Sequence, residues 1–275
     1  MSSQNADNIK DLKKEREEAF DFALDIGTRL IGAKAGLVVA GPVGAYVGSI
    51  VAPTLKRGAE QIRKRFLPTI EERQDRRAME GLGFALLQIQ TRLESGEQFR
   101  QDDFFEQADD RASSAEELLE GVVLRCRDEF REKKCKYIAK ILGNGCFTNL
   151  SADTLHYVLE FARQLTYRQI CLLQIFSNAE SWNLRRGDYD KENVGEETLV
   201  ILREAYALYT PLELIECQPG QNYPYGLNVK KPKSIMPGCM KLRTWGKTVS
   251  ELMGLDELPL EDLESVAKFL RKDVS

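Results

Sequence analysis

Histidine is almost missing from this sequence: the only one, His156, sits in the run Thr154-Leu155-His156-Tyr157. With no second histidine to share a metal ion with it, imidazole-based metal centres have no ligand set, and a structural place on a helix is expected for His156. No two of the six cysteines, Cys126, Cys135, Cys146, Cys171, Cys217 and Cys239, form a C-x-x-C unit. A zinc knuckle or a thioredoxin-like pair therefore has no motif, and the cysteines read as scattered buried thiols. A phosphate-cradling loop is missing too, because Gly143-x-Gly145 lacks the lysine and the preceding strand that such a loop needs. The start of the chain, polar from Met1 to Gln4 and then charged, has no apolar core of a secretory signal, which predicts a reducing, intracellular compartment. No cofactor, no metal and no enzymatic activity are the expectations that follow.

An excess of positive charge is lacking as well. The 39 Lys and Arg against 43 Asp and Glu give a formal charge of -4, which argues against a protein that coats nucleic acid over its whole surface. Charge is unevenly placed, however. From Ala35 to Leu55 there is no charged residue at all, and between Cys217 and Ser250 there is no acidic one.

The first of these stretches, as a helix, would extend roughly 30 Å, the thickness of a bilayer core. Within and beside it Gly32, Gly36, Ala40, Gly44, Gly48 and Ala52 fall four apart. A helix would line them up as one nearly bare backbone ridge, of the kind that lets helices approach closely in lipid. Pro42 and the diluted hydrophobicity weigh against a simple span, so Gly41-Pro42 is also readable as the turn of a short hairpin. Arg29 and Lys34 before the segment, and Lys56 and Arg57 after it, suit anionic headgroups. Membrane contact, a homo-oligomer seam and a close-packed soluble helix pair all remain open readings.

Around this segment the periodicity predicts helices. Ile9, Leu12, Phe20, Leu24 and Ile31 mark an amphipathic helix over residues 7–31. After Pro68, a capping box at Thr69 and Glu72 opens a helix whose stripe is Met79, Leu82, Leu86, Ile89 and Leu93, ending near Ser95-Gly96. The linker from Gln101 to Phe105 carries two aromatics that could plug a groove on the next domain. Ser114 with Glu117 predicts a second capping box, opening one helix through Leu118, Val122, Leu124, Phe130, Tyr137, Ile138 and Ile141 to Gly143-Asn144-Gly145. Helices over 151–164, 166–177 (capped by Thr166 and Gln169) and 196–209 (stopped by Pro211) follow, then 244–253 and 260–270.

The Pro- and Gly-rich stretch from 216 to 240 has β-prone pieces around Tyr225 to Val229 and Cys239 to Arg243, which predict a small hairpin. Three helices, a hairpin and a helix suggest a winged-helix-like unit. Its acid-free part holds Lys230, Lys231, Lys233, Lys241, Arg243 and Lys247, a candidate basic surface for a protein partner or, less in keeping with the overall charge, nucleic acid. The fold class expected is mainly α, with a helical N-terminal region (1–100, including the Gly-rich segment 32–55) and a helical domain (101–275) bearing the winged part.

Three stretches carry a resemblance: residues 96–100 (Gly-Glu-Gln-Phe-Arg) through Asp103-Phe104-Phe105, residues 115–122, and Leu165-Thr166-Tyr167-Arg168-Gln169. They resemble bacterial proteins in which a glycine-rich apolar stretch precedes an all-helical domain, and the arrangement is loosely similar to the abortive-infection alpha family. That resemblance implies a bacterial, cytoplasmic or inner-membrane-associated protein tied to phage defence, and it supplies no catalytic residues. The function expected is a non-enzymatic, membrane-associating or self-assembling helical protein. The alternative is a soluble regulatory module that binds a partner through the basic hairpin.

Overall fold

A computed structural model describes residues 70–106, 112–218 and 229–271. The amphipathic helix at 7–31, the basic stretch at 56–65 and the ridge from Gly32 through Gly36, Ala40, Gly44 and Gly48 to Ala52 lie outside the described residues. Eight helices and one two-stranded sheet make up the described part, so the chain is mainly α. None of these helices is long and apolar enough to cross a membrane.

The chain divides into two units between Arg163 and Gln164. The first contains α1 (Ile70–Glu94), α2 (Ser114–Asp128), α3 (Glu132–Gly145) and α4 (Ala152–Gln164). Helix α1 packs against both α2 and α3, which pack against each other. The expected stripe of α1 is inside: Met79, Leu82, Leu86 and Ile89 are buried, while Leu93 reaches the surface where the helix ends. Against them lie Leu118, Val122 and Cys126 of α2 and Cys135, Ile138 and Ile141 of α3. On α4, Leu155 meets Gly145 and Leu159 meets Gly121. Arg125 pairs with Glu160, which also accepts from Arg163 at 2.9 Å. Burial pushes the Glu160 carboxyl up, but these two arginines outweigh it and leave the group below its usual range.

Where one long helix was expected from Ser114 to Gly145 there are two, broken at 129–131. Leu124 and Phe130 explain the difference: both are exposed, so neither belongs to the apolar stripe that seemed to run through them. The start of α2 also differs by one residue. Ser113, not Ser114, is the cap: its hydroxyl accepts from Glu116 N at 3.2 Å, and Glu116 Oε2 accepts from Ser113 N at 2.7 Å. Ser113 is buried, so its polar atoms need partners, and the reciprocal bonds with Glu116 supply them.

The boundary expected at 100/101 falls inside this first unit. Arg100 N donates to Cys146 O at 3.0 Å, and Phe104 is buried against the bundle, in a short turn, Asp103–Phe105, that packs on α2. The aromatic plug thus seats within its own unit. Phe99 stacks on Phe147 and meets Phe105 edge-on, while Arg92 lies over Phe147 and Arg100 over Phe104. The Arg100 side chain is only 4% exposed and is neutralised by Asp102.

Hydrogen bonding from Arg100 holds the Asp102 carboxyl below its usual range, against the opposing effect of burial. A carboxylate with a lowered native pKa adds stability at pH above its unfolded value, near 4, and loses it as the pH falls through the native one. We therefore expect acid to loosen the 96–106 strap, leaving the buried Arg100 without its carboxylate. Limited proteolysis between pH 7 and 3 should show cleavage there growing as pH drops, with Asp102→Asn cleaved already at pH 7.

The second unit is built around α5 (Tyr167–Ser177), in which Ile170, Cys171, Leu172, Leu173, Ile175 and Phe176 are all buried. A helix apolar on every side must be central, and α6 (Glu196–Tyr209), α7 (Thr244–Met253) and α8 (Leu260–Ala267) all contact it. The box expected at its start is present, with Thr166 Oγ1 accepting from Gln169 N at 3.1 Å and Gln169 Oε1 from Thr166 N at 2.9 Å. Tyr167 donates to Asp262 Oδ2 of α8 at 2.8 Å.

The sheet pairs β1 (Ile215–Cys217) antiparallel with β2 (Met240–Leu242), placing Ile215 opposite Leu242, Glu216 opposite Lys241 and Cys217 opposite Met240. The downstream expected piece is β2, but its partner, Ile215–Cys217, lies at the start of the Pro- and Gly-rich stretch. Val229 is buried outside any strand, and Tyr225 to Asn228 lie outside the described residues. Ile215 and Leu242 close the same buried face, which is what selects this register.

Candidate functional site

The six cations expected to form one basic surface separate into two groups. Lys231 and Lys233 are drawn onto the polar loop that precedes α6. Lys231 Nζ lies 3.3 Å from Asp190 Oδ2, and Lys233 Nζ donates to Glu192 O at 2.7 Å. The backbones join as well, Tyr189 N donating to Lys233 O at 2.8 Å. On the other side of the clasp Arg185 pairs with Glu192 and lies over the Tyr189 ring. Arg243 is compensated by Glu213 Oε2 at 3.1 Å and Glu216 Oε2 at 3.9 Å, while its own N–H donates to Leu214 O at 2.9 Å. These three cations therefore tie loops together, and the charges of Lys231 and Arg243 are compensated by carboxylates.

Lys230, Lys241 and Lys247 make up the second group. Each is exposed, and none has a carboxylate partner among the described residues. They come from three elements: Lys230 from the segment held by Tyr206 Oη donating to its carbonyl at 3.2 Å, Lys241 from the outer face of β2, and Lys247 from α7. Trp245, also on α7, is partly exposed. Exposed ammonium groups of this kind suit an acidic partner through charge.

The thiols give no sign of an activated nucleophile. Burial pushes Cys146 up to about 12, and burial together with the nearby Cys239 pushes Cys217 up to about 11. Among the described residues no three His, Cys, Asp or Glu side chains gather as a metal-holding group. His156 is half-buried on α4.

Two arrangements were not visible in the sequence. Across the short turn between α2 and α3, Lys134 Nζ of α3 lies 2.6 Å from Glu129 Oε2, the two side chains only 3% and 9% exposed, and the ammonium also donates to Arg163 O at 3.3 Å. Beside it Cys126 and Cys135 face each other. The signal for both was the break at 129–131, which a continuous hydrophobic period conceals.

Comparison of the chain with protein-family models, with curated proteins and with solved structures finds no match.

Proposed function

We propose that this is a non-enzymatic helical protein that self-assembles or associates with a membrane through residues 30–57 and presents its C-terminal unit as a docking module. The observation that carries this reading is the four-residue step from Gly32 through Gly36, Ala40, Gly44 and Gly48 to Ala52, all but the first within the run without charge from Ala35 to Leu55. Glycine costs about 1 kcal/mol relative to alanine in a water-exposed helix interior, so repeated glycines on one helix face call for a partner surface that uses their closeness. The flanking Arg29, Lys34, Lys56 and Arg57 favour an anionic bilayer as one such surroundings. The loose similarity of residues 96–105, 115–122 and 165–169 to the abortive-infection alpha family is what supports a setting in bacterial phage defence.

The test uses the full chain and the triple variant Gly36→Leu/Gly44→Leu/Gly48→Leu. Leucine raises hydrophobicity while filling the ridge, so it separates close packing from simple partition. Self-association measured by sedimentation should weaken at least tenfold, about 1.4 kcal/mol, while flotation with anionic vesicles is kept. A wild-type chain that is monomeric and ignores such vesicles would remove the proposal.

A second reading is favoured by the exposed Lys230, Lys241 and Lys247, whose paired neighbours leave them as the cations open to a partner. On this reading a soluble module docks an acidic protein segment through its C-terminal unit. Binding of an acidic peptide that survives reversal of all three lysines to glutamate would exclude it.

A further inference from the structure

Cys126 and Cys135 are nine residues apart, about two and a half turns, so one continuous helix would hold them on opposite faces. The turn at 129–131 brings them together instead. Cys126 Sγ approaches Cys135 O at 3.6 Å, and Cys135 Sγ approaches Cys126 O at 3.6 Å. Both residues are completely buried. Helix α1 closes over Cys126 at Gly81, where a Cβ would stand 2.5 Å from Cys126 Sγ and 2.8 Å from its Cβ. The Glu129–Lys134 ion pair fixes the same turn from inside, and its tip, Phe130, is 81% exposed. Two neighbouring thiols are therefore clamped at the base of a helical hairpin.

We propose that Cys126 and Cys135 are a thiol–disulfide site, in which exchange with a low-molecular-weight disulfide joins α2 to α3 by an intramolecular bond. One protein thiol loses its proton and attacks a sulfur of the small disulfide, giving a mixed disulfide and releasing one small thiolate, which takes up that proton. The second protein thiol then attacks the protein sulfur of the mixed disulfide. The Cys126–Cys135 bond forms and a second small thiol leaves with the second proton. The protein is oxidised by two electrons, the small disulfide is reduced by two, and both protons are accounted for.

In the closed bundle the hydrogen bond with Cys135, together with burial, pushes the Cys126 thiol well above its usual range, so that thiol is not an attacking group while the bundle is closed. Exchange proceeds when α1 lifts from the turn at Gly81. The bond then acts on the hairpin that displays Phe130, holding its two helices at their joined ends and slowing further opening. The site thus records an oxidising exposure as a change in local opening rate.

The test takes the full chain to equilibrium in a series of reduced and oxidised glutathione ratios, starting both from reduced protein and from protein refolded out of urea in the same buffers. Digestion without reductant and mass spectrometry should find a peptide joining Cys126 to Cys135, lighter by two hydrogens. Hydrogen exchange over residues 114–145 should slow at least tenfold on oxidation and recover with reductant, and Cys135→Ala should show neither effect. The proposal is overturned if no ratio links the pair from either start. It is also overturned if Cys126 bonds mainly to glutathione or another cysteine, or if the linked chain exchanges as fast as the reduced one.

Discussion

Replacing Gly246 by alanine is expected to destabilise the C-terminal unit by about 3 kcal/mol or more, at or beyond the upper end of overpacking costs. A Cβ at this position would stand 2.0 Å from Leu214 O and 3.0 Å from the carbonyl carbon. Both are backbone atoms, so no side-chain rotation relieves the clash. The same carbonyl accepts the Arg243 N–H at 2.9 Å, the bond that docks the start of α7 onto the segment entering β1. Moving Leu214 away to admit a methyl group would break that bond and leave both partners unsatisfied. The residue before it, Glu213, already has a left-handed backbone with φ 53°, so this segment has little freedom to yield. Urea unfolding followed by tryptophan fluorescence reads the effect cleanly, because both tryptophans, Trp182 and Trp245, belong to this unit. Lys247→Ala, on the exposed side of the same helix, should change stability by no more than about 0.5 kcal/mol. If Gly246→Ala unfolds within about 1 kcal/mol of the native chain, the close approach of α7 to Leu214 is wrong.

The second large effect is expected at Lys134. Truncation to methionine removes the ammonium from a pair whose members are nearly sealed from water, leaving Glu129 buried with an uncompensated charge and Arg163 O without its donor. Breaking such a pair costs about 3 to 5 kcal/mol, most of it the penalty of the abandoned partner and not the intrinsic strength of the pair. Hence Lys134→Met/Glu129→Gln should recover most of the loss. Hydrogen exchange at 114–145 offers the measurement, with faster exchange in the single variant and near-native exchange in the double. A single variant as stable as the native chain would mean that water reaches this pair.

Much of the helical content could be read directly. Met79, Leu82, Leu86 and Ile89 are spaced for one buried face, and they are buried. Thr166 and Gln169 announce a capping box three residues apart, a purely local arrangement that needs no distant partner. Pro211 stops α6 two residues after its last helical position for an equally local reason. The candidate basic surface was legible only in part. Composition shows that 218–249 lacks acids, but it cannot show that Asp190 and Glu192, from another loop, come back to neutralise Lys231 and hold Lys233.

By itself, then, the sequence determined what depends on neighbours in the chain: the mainly helical class, the phase of the α1 stripe, the cap at Thr166 and the stop at Pro211. Tertiary structure alone decided what depends on residues far apart. It broke the helix at 129–131, since only packing on α1 makes Cys126 and Cys135 share a face. It paired β2 with Ile215–Cys217, since burial of Ile215 and Leu242 together outweighs the proximity of the pieces around residue 225. It also kept residues 96–106 in the first unit, through Arg100 and Phe104. The physical reason is common to all three: side-chain periodicity encodes which face is apolar, whereas the partner for that face is chosen by the burial and hydrogen bonding available across the whole chain.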